Sequence, residues 1–104
     1  MTAKVIKQKI KSAVTGNNPT AEVILFGSQA RGNALPESDW DVLVLLDQPQ
    51  VTFQDEQAIR HRLYDVELQM ETSISVFVYS RADWNTRHRA MPLFKSIQSE
   101  GIAL

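Results

Sequence analysis

The sequence predicts one α/β domain of the α+β kind, in which a small β-sheet is flanked by helices. The chain of 104 residues is too short for two independent domains, so we expect residues 1–104 to fold together. Its 43% hydrophobic and 22% charged residues are typical of a globular protein. Short apolar runs with strand character alternate with one-sided helical stripes, in the order helix, strand, strand, helix, strand, helix.

The first helix is predicted from Ala3 to Gly16. Apolar residues recur there every three or four positions, as on the buried side of an amphipathic helix (Ile6, Ile10, Ala13 and Val14). Gly16 stands where a glycine commonly ends a helix. The β-branched run Glu22–Phe26 then predicts a strand, which we expect to be central in the sheet.

The middle of the chain predicts a loop, a buried strand and a long helix. The loop has room for one helical turn at Ser28–Arg31, and the apolar run at 39–46 indicates a strand buried on both faces. Thr52 can cap a helix that ends near Glu71, with Asp55 as the acidic third residue of a capping box. The predicted apolar stripe of this helix consists of Phe53, Ile59, Leu63, Val66 and Met70.

The last third of the chain predicts a strand, a capped turn and a short helix. Residues 73–79 alternate before an apolar run, which is typical of a strand. Ser80 followed by Asp83 indicates a capped turn, and a closing helix is predicted over Pro92–Glu100, ended by Gly101.

Charge and cysteine content exclude several functional classes. Eleven basic against twelve acidic residues leave a net charge of -1, so nucleic acid is not an expected partner. The absence of cysteine excludes a disulfide framework, a zinc ribbon and thiol catalysis. The longest apolar runs fall far short of the roughly 20 residues that cross a bilayer, and the first residues carry scattered lysines without an apolar signal region. We therefore expect a cytoplasmic protein without a membrane contact.

Gly27-Ser28 predicts an anion site. A strand that ends at these residues and turns directly into a helix points backbone N–H groups at one spot. Gly27 has no Cβ, so a phosphate can approach the backbone closely, and the Ser28 hydroxyl adds a donor.

Asp39 and Asp41 predict a metal site. Two positions apart on a strand, their carboxylates project from one face with Cα atoms about 6.6 Å apart, while Trp40 points the other way. Neighbouring carboxylates repel unless a cation neutralises them, and hard oxygen ligands suit Mg²⁺. A phosphate loop facing a Mg²⁺ holder is the layout of nucleotidyl transfer.

These motifs resemble the nucleotidyltransferase core of the DNA polymerase beta superfamily, and most closely its minimal nucleotidyltransferases. The segments that carry the resemblance are Gly27-Ser28, Ala30-Arg31-Gly32 and Ser38-Asp39-Trp40-Asp41-Val42. The resemblance implies a mixed sheet flanked by helices. It also implies Mg²⁺-dependent transfer of a nucleoside monophosphate from ATP or another nucleoside triphosphate to a hydroxyl.

The resemblance further implies roles for single residues and for a partner. Asp39 and Asp41 would be the catalytic metal ligands, and the nucleotide would be bound by Gly27, Ser28, Arg31 and Ser38. The acceptor could be a tyrosine of a helical HEPN-domain partner, to which the chain would be the antitoxin. Because 104 residues leave no room for an acceptor-binding domain, a second chain, HEPN or another copy of this one, is expected to supply that surface.

One departure from the family pattern leaves two functions open. The family has a third carboxylate on a neighbouring strand, expected here at Ser73 or Ser75, and neither is acidic. Glu71 could swing in from the start of that strand or face water as a helix end, and Asp83 is better explained as a helix-start acid. The chain is thus either a nucleotidyltransferase or a catalytically impaired module that binds nucleotide or partner and acts by masking.

Other polar residues have more than one interpretation. Arg31 could contact a triphosphate or pair with an acidic residue beside the site. Ser38 could simply orient the loop. The basic cluster Arg87-His88-Arg89 is interpreted as a solvated loop, with contact to nucleotide or partner as the alternative.

Overall fold

The computed structural model describes residues 2–104 and contains five helices and four strands in that range. In chain order these are α1 (Ala3–Thr15), β1 (Glu22–Phe26), α2 (Ser28–Arg31), β2 (Trp40–Leu46), α3 (Phe53–Met70), β3 (Ile74–Ser80), α4 (Arg81–Asn85), α5 (Pro92–Glu100) and β4 (Ile102–Ala103). Every predicted helix and strand is present. The predicted capped turn is the short helix α4, and β4 was not predicted. Within residues 2–104 no helix has both the length and the apolar character to span a membrane.

The four strands form one mixed sheet in the order β3-β2-β1-β4. β1 is antiparallel to both β2 and β4, whereas β2 and β3 are parallel. Parallel neighbours need a long crossover, and α3 supplies it. The prediction of a mixed sheet flanked by helices is confirmed, and β1 lies inside the sheet as expected.

Both faces of the sheet are covered, which explains the unbroken apolar run in β2. On one face Trp40, Val42 and Val44 pack with the buried sides of α1 and α3. On the other face Leu43 and Leu45 pack with apolar residues of α4 and α5 (Trp84 and Ile97). Since alternate strand residues point to opposite faces, the two cores fix which side each β2 residue occupies.

The long helix α3 begins as predicted, but its apolar stripe is shorter. The Thr52 side chain accepts the Asp55 N–H at 3.1 Å, and the Asp55 carboxylate accepts the Thr52 N–H at 3.0 Å, which completes the capping box. Phe53 is 70% exposed, so its place in the buried stripe was wrong. Six residues turn a helix by about 600°, which puts Phe53 about 120° away from Ile59.

Two strand boundaries also differ from the prediction. β2 begins at Trp40, so Asp39 lies just before the strand rather than on it. β3 extends to Ser80, which ends the strand and also caps α4 by accepting the Asp83 N–H at 3.0 Å.

The chain closes by adding β4 to the edge of β1. Ile102 pairs with Leu25, and the Leu104 N–H donates to the Val23 carbonyl at 2.8 Å. Gly101, the predicted end of α5, makes this turn possible. A Cβ there would lie 2.5 Å from the Ile97 carbonyl oxygen and 2.8 Å from the Ile24 side chain.

We expect Gly101→Ala to destabilise the fold by about 1–3 kcal/mol, the usual cost of inserting a methyl group into a closely packed position. The thermal midpoint should fall by roughly 4–8 °C for each kcal/mol. Gln98→Ala, an exposed change on the same helix, is the matched control and should leave the midpoint nearly unchanged. Equal midpoints for the two variants would contradict the close packing at Gly101.

Candidate functional site

The loop after β1 is built around a left-handed glycine. Gly27 has φ +75° and ψ -159°, a conformation that is essentially confined to glycine. Its carbonyl accepts the Ala30 and Arg31 N–H groups at 3.1 and 3.0 Å, which closes the single turn of α2. A Cβ at Gly27 would collide with the Asp41 carboxylate. The loop and the β2 carboxylate are therefore in direct contact.

The two aspartates lie beside this loop. Asp41 pairs with Phe26 in the β1–β2 register and is half-buried, whereas Asp39 precedes the strand and is exposed. Trp40 is buried in the core on the opposite face, and its N–H donates to the Ser73 carbonyl at 2.9 Å. The structure thus places the Asp41 carboxylate against Gly27, and Asp39 lies near enough for its charge to act on Asp41.

The electrostatics of the pair favour a cation. Burial raises the pKa of the Asp41 carboxyl above its ordinary value of 3.8, and the negative charges of Asp39 and Glu100 raise it further. The Arg31 guanidinium acts in the opposite direction and lowers this pKa. Two adjacent carboxylates, one of which resists ionisation, are hard oxygen donors that a divalent cation such as Mg²⁺ would stabilise.

Glu100 is a site residue that sequence reasoning missed. Its Oε1 accepts the Gly27 N–H at 3.3 Å, and its two oxygens lie 3.3 and 3.0 Å from Arg31 Nη1. Of the two alternatives for Arg31, the structure shows the pair with a neighbouring acid. No local signal could have found this contact, because Arg31 and Glu100 are 69 residues apart in the chain.

Ser28 lies at the start of α2, and Ser38 lies near the end of the loop that joins α2 to β2. Ser28 begins α2 beside Gly27, and its carbonyl accepts the Gly32 N–H at 3.1 Å. The Ser38 hydroxyl accepts the Leu35 N–H at 2.9 Å, and its carbonyl accepts the Gln29 side-chain amide at 3.3 Å. Ser38 therefore orients the loop.

The position expected for the third carboxylate is occupied by serine. Ser75 pairs with Asp41 in the parallel β2–β3 register. Glu67 is engaged elsewhere, since its carboxylate accepts the Ile74 N–H at 2.8 Å, and Glu71 is an exposed helix cap with φ +50°. Across residues 2–104, no three or more His, Cys, Asp or Glu residues are grouped so that they could hold a metal. The candidate metal ligands are the two aspartates alone.

Two residues of the basic cluster Arg87-His88-Arg89 contact neighbouring side chains of the fold. His88 packs its ring against Tyr79, with centroids 4.8 Å apart, and Arg87 lies 3.8 Å from the Asp83 carboxylate in an exposed pair. Trp84 is buried in the second core, as Trp40 is in the first.

We expect Gly27→Ala to lower stability by about 1–3 kcal/mol, because backbone strain adds to the collision with Asp41. Asp41→Ala in the same chain should recover part of this loss by removing the atoms that the new Cβ meets. Urea unfolding of the two single variants and the double variant measures this coupling.

The control for that cycle is Gly32→Ala. Gly32 also has a positive φ, of +80°, but a Cβ there meets no atom within 4 Å. It should lose stability through backbone strain alone and show no coupling to Asp41→Ala. Coupling of the same size at both glycines would contradict the Gly27–Asp41 contact.

The raised pKa of Asp41 also predicts a pH dependence. Stability is lost as the pH rises from 3.8 through the raised pKa, because the folded chain holds this proton more tightly than the unfolded chain. Asp41→Asn should thus be more stable than the parent chain at neutral pH, and this advantage should shrink as the pH approaches 3.8. Urea unfolding across that range measures it, with the exposed Asp65→Asn as the control. An advantage that is independent of pH would contradict it.

Comparison with known proteins agrees with this fold. Residues 6–96 match the family of the nucleotidyltransferase domain. One similar solved structure, of a toxin-antitoxin with AMP-PNP, has a TM-score of 0.68 at 17% identity over 93% of this chain and 70% of that one. Another, described as a minimal nucleotidyltransferase, has a TM-score of 0.66 at 22% identity over 100% of this chain and 97% of that one.

No curated protein sequence matches the chain. The family match nevertheless covers most of the residues, including the loop and both aspartates, and the structural likenesses extend over nearly the whole fold. The chain therefore belongs to the nucleotidyltransferase domain family.

Proposed function

We propose that this domain binds ATP or another nucleoside triphosphate together with Mg²⁺ and transfers the nucleoside monophosphate to a hydroxyl group. The observation that carries the proposal is the contact between Gly27 and Asp41. In this contact, a backbone that a phosphate can approach closely lies next to a carboxylate that can bind a metal. The contact strains the backbone at Gly27, and strain of this kind is common where a protein binds a ligand.

Asp39 and Asp41 are the residues that would hold the metal. Their donor oxygens match the preference of Mg²⁺ for hard ligands, and a bound cation would offset the burial and the neighbouring negative charges that raise the pKa of Asp41. When bound, Mg²⁺ supplies positive charge that neutralises the phosphate oxygens as the transfer proceeds. This is consistent with a toxin-antitoxin structure of the same fold that was solved with AMP-PNP.

Gly27, Ser28 and Arg31 would hold the phosphates, and Ser38 would keep the loop in place. In the transfer, the acceptor hydroxyl oxygen bonds to the α-phosphorus, while the bond from that phosphorus to the oxygen bridging to the β-phosphorus breaks. Pyrophosphate leaves with that bridging oxygen. The hydroxyl proton is released to water, because Ser75 offers no carboxylate at the position next to Asp41.

The acceptor is expected on a second chain. We propose a HEPN-domain protein whose tyrosine receives the nucleotide, or a second copy of this chain, and a role as antitoxin in the first case. A toxin-antitoxin of similar fold supports a partner role. We place this activity in the cytoplasm and expect no nucleic acid partner, since the charge balance of the chain offers no basic excess.

A second candidate function is favoured by Ser75. With no third carboxylate beside Asp41, the domain could bind nucleotide and partner without turnover and act by masking the partner. Both functions use the loop to bind the nucleotide. They differ only in whether the bond between the α-phosphorus and the bridging oxygen is broken.

Transfer and masking can be distinguished by incubating the chain with ATP labelled at the α-phosphate, Mg²⁺ and the product of the neighbouring gene. We expect label on the partner with the parent chain and a loss of at least about 100-fold with Asp39→Asn plus Asp41→Asn, because these residues would hold the charge that stabilises the transfer. Asp65→Asn, an exposed carboxylate on α3, is the matched control and should retain transfer.

Two other outcomes decide between the alternatives. Partner binding that survives the double substitution, with no transfer by any chain, would favour masking. Label transfer that also survives the double substitution would show that the two aspartates are not the site.

A further inference from the structure

The carboxylate of Glu100 occupies the donors that the proposed function assigns to a phosphate. Its Oε1 takes the Gly27 N–H, and both of its oxygens lie against the Arg31 guanidinium. A carboxylate and a phosphate oxygen make the same kind of charge-assisted hydrogen bond with these donors. In the folded chain, therefore, a carboxylate from α5 accepts hydrogen bonds from Gly27 and Arg31, two of the three residues proposed to hold the phosphates.

The position of Glu100 is fixed by the segments that precede and follow it in the chain. It is the last residue of α5, which packs on the sheet through Ile97. The next residue, Gly101, turns the chain against Ile24 and into β4, which pairs with β1 directly upstream of the Gly27 loop. The position of the carboxylate is thus set by packing of the backbone as well as by its own ion pair.

The contacts of Glu100 do not favour a role as the missing third metal ligand. Both of its oxygens face Arg31, and no metal-holding group of three acids exists within residues 2–104. Its charge still reaches Asp41, whose pKa it raises. Glu100 therefore adds to the repulsion at the site and competes for the donors of the anion.

We propose that Glu100 is an internal competitor for the nucleotide phosphates, which must displace it from Gly27 and Arg31 in order to bind. The proposal rests on the proposed function, because it concerns the same site. Displacement would free the Arg31 guanidinium for the phosphates. It would also make binding depend on a ligand that brings its own cation, since Asp39, Asp41 and Glu100 together repel a bare polyphosphate.

Binding measurements on Glu100 variants test this proposal without an activity assay. Glu100→Gln keeps the size of the side chain and removes its charge, and Glu100→Ala removes the competing group. We expect both to bind AMP-PNP with Mg²⁺ about fivefold more tightly than the parent chain, the equivalent of a partly exposed ion pair. Both should also gain measurable binding of inorganic tripolyphosphate without Mg²⁺.

Glu56→Gln is the matched control. Glu56 also pairs with an arginine, Arg60 at 2.8 Å, but on α3, which packs on the opposite face of the sheet. It should bind both probes as the parent chain does. Thermal unfolding without ligand confirms that each variant is folded before titration calorimetry.

The outcomes separate this inference from the proposed function. Tighter binding by both Glu100 variants supports the inference, including the case in which only these variants bind. Unchanged or weaker binding by both, with clear binding by the parent chain, overturns the inference and leaves the proposed function intact. No binding of AMP-PNP with Mg²⁺ by any chain overturns both.

Discussion

The site depends on one contact, in which the backbone of Gly27 passes so close to the Asp41 carboxylate that no Cβ could lie between them. This contact requires the left-handed conformation at Gly27 and the pairing of Phe26 with Asp41. A slip of one residue in that pairing would turn Asp41 to the opposite face and bring Trp40 in its place. The position of the Asp41 carboxylate beside the loop therefore depends on the register of β1 against β2.

That register is set by the two cores. Trp40, Val42 and Val44 pack on the side of α1 and α3, while Leu43 and Leu45 pack on the side of α4 and α5. A slipped strand would keep its apolar character on both faces but would expose Asp41 to the first core, where a carboxylate is costly. The Asp41 carboxylate, a candidate metal ligand, thus also helps to select the correct pairing of the strands.

Local chemistry made much of this structure predictable from sequence. Caps such as Thr52 and Ser80, and the glycine that turns β1 into α2, act within a few residues, so their signals are visible in the printed sequence. The features that sequence analysis missed either join residues that are far apart in the chain or are too short to form a recognisable pattern. Glu100 meets Arg31 across 69 residues, and β4 is only two residues long.

The balance of charge in the site limits what it can bind. Asp39, Asp41 and Glu100 contribute negative charge around Arg31, and burial together with the charges of Asp39 and Glu100 raises the pKa of Asp41. An anion alone is repelled by the three carboxylates. A cation alone does not replace Glu100 as the acceptor of the Gly27 and Arg31 hydrogen bonds. A complex of a divalent cation with a polyphosphate satisfies the acids and the donors together. Under the proposed function, this arrangement of charges would therefore favour the metal complex of a nucleotide over either component by itself.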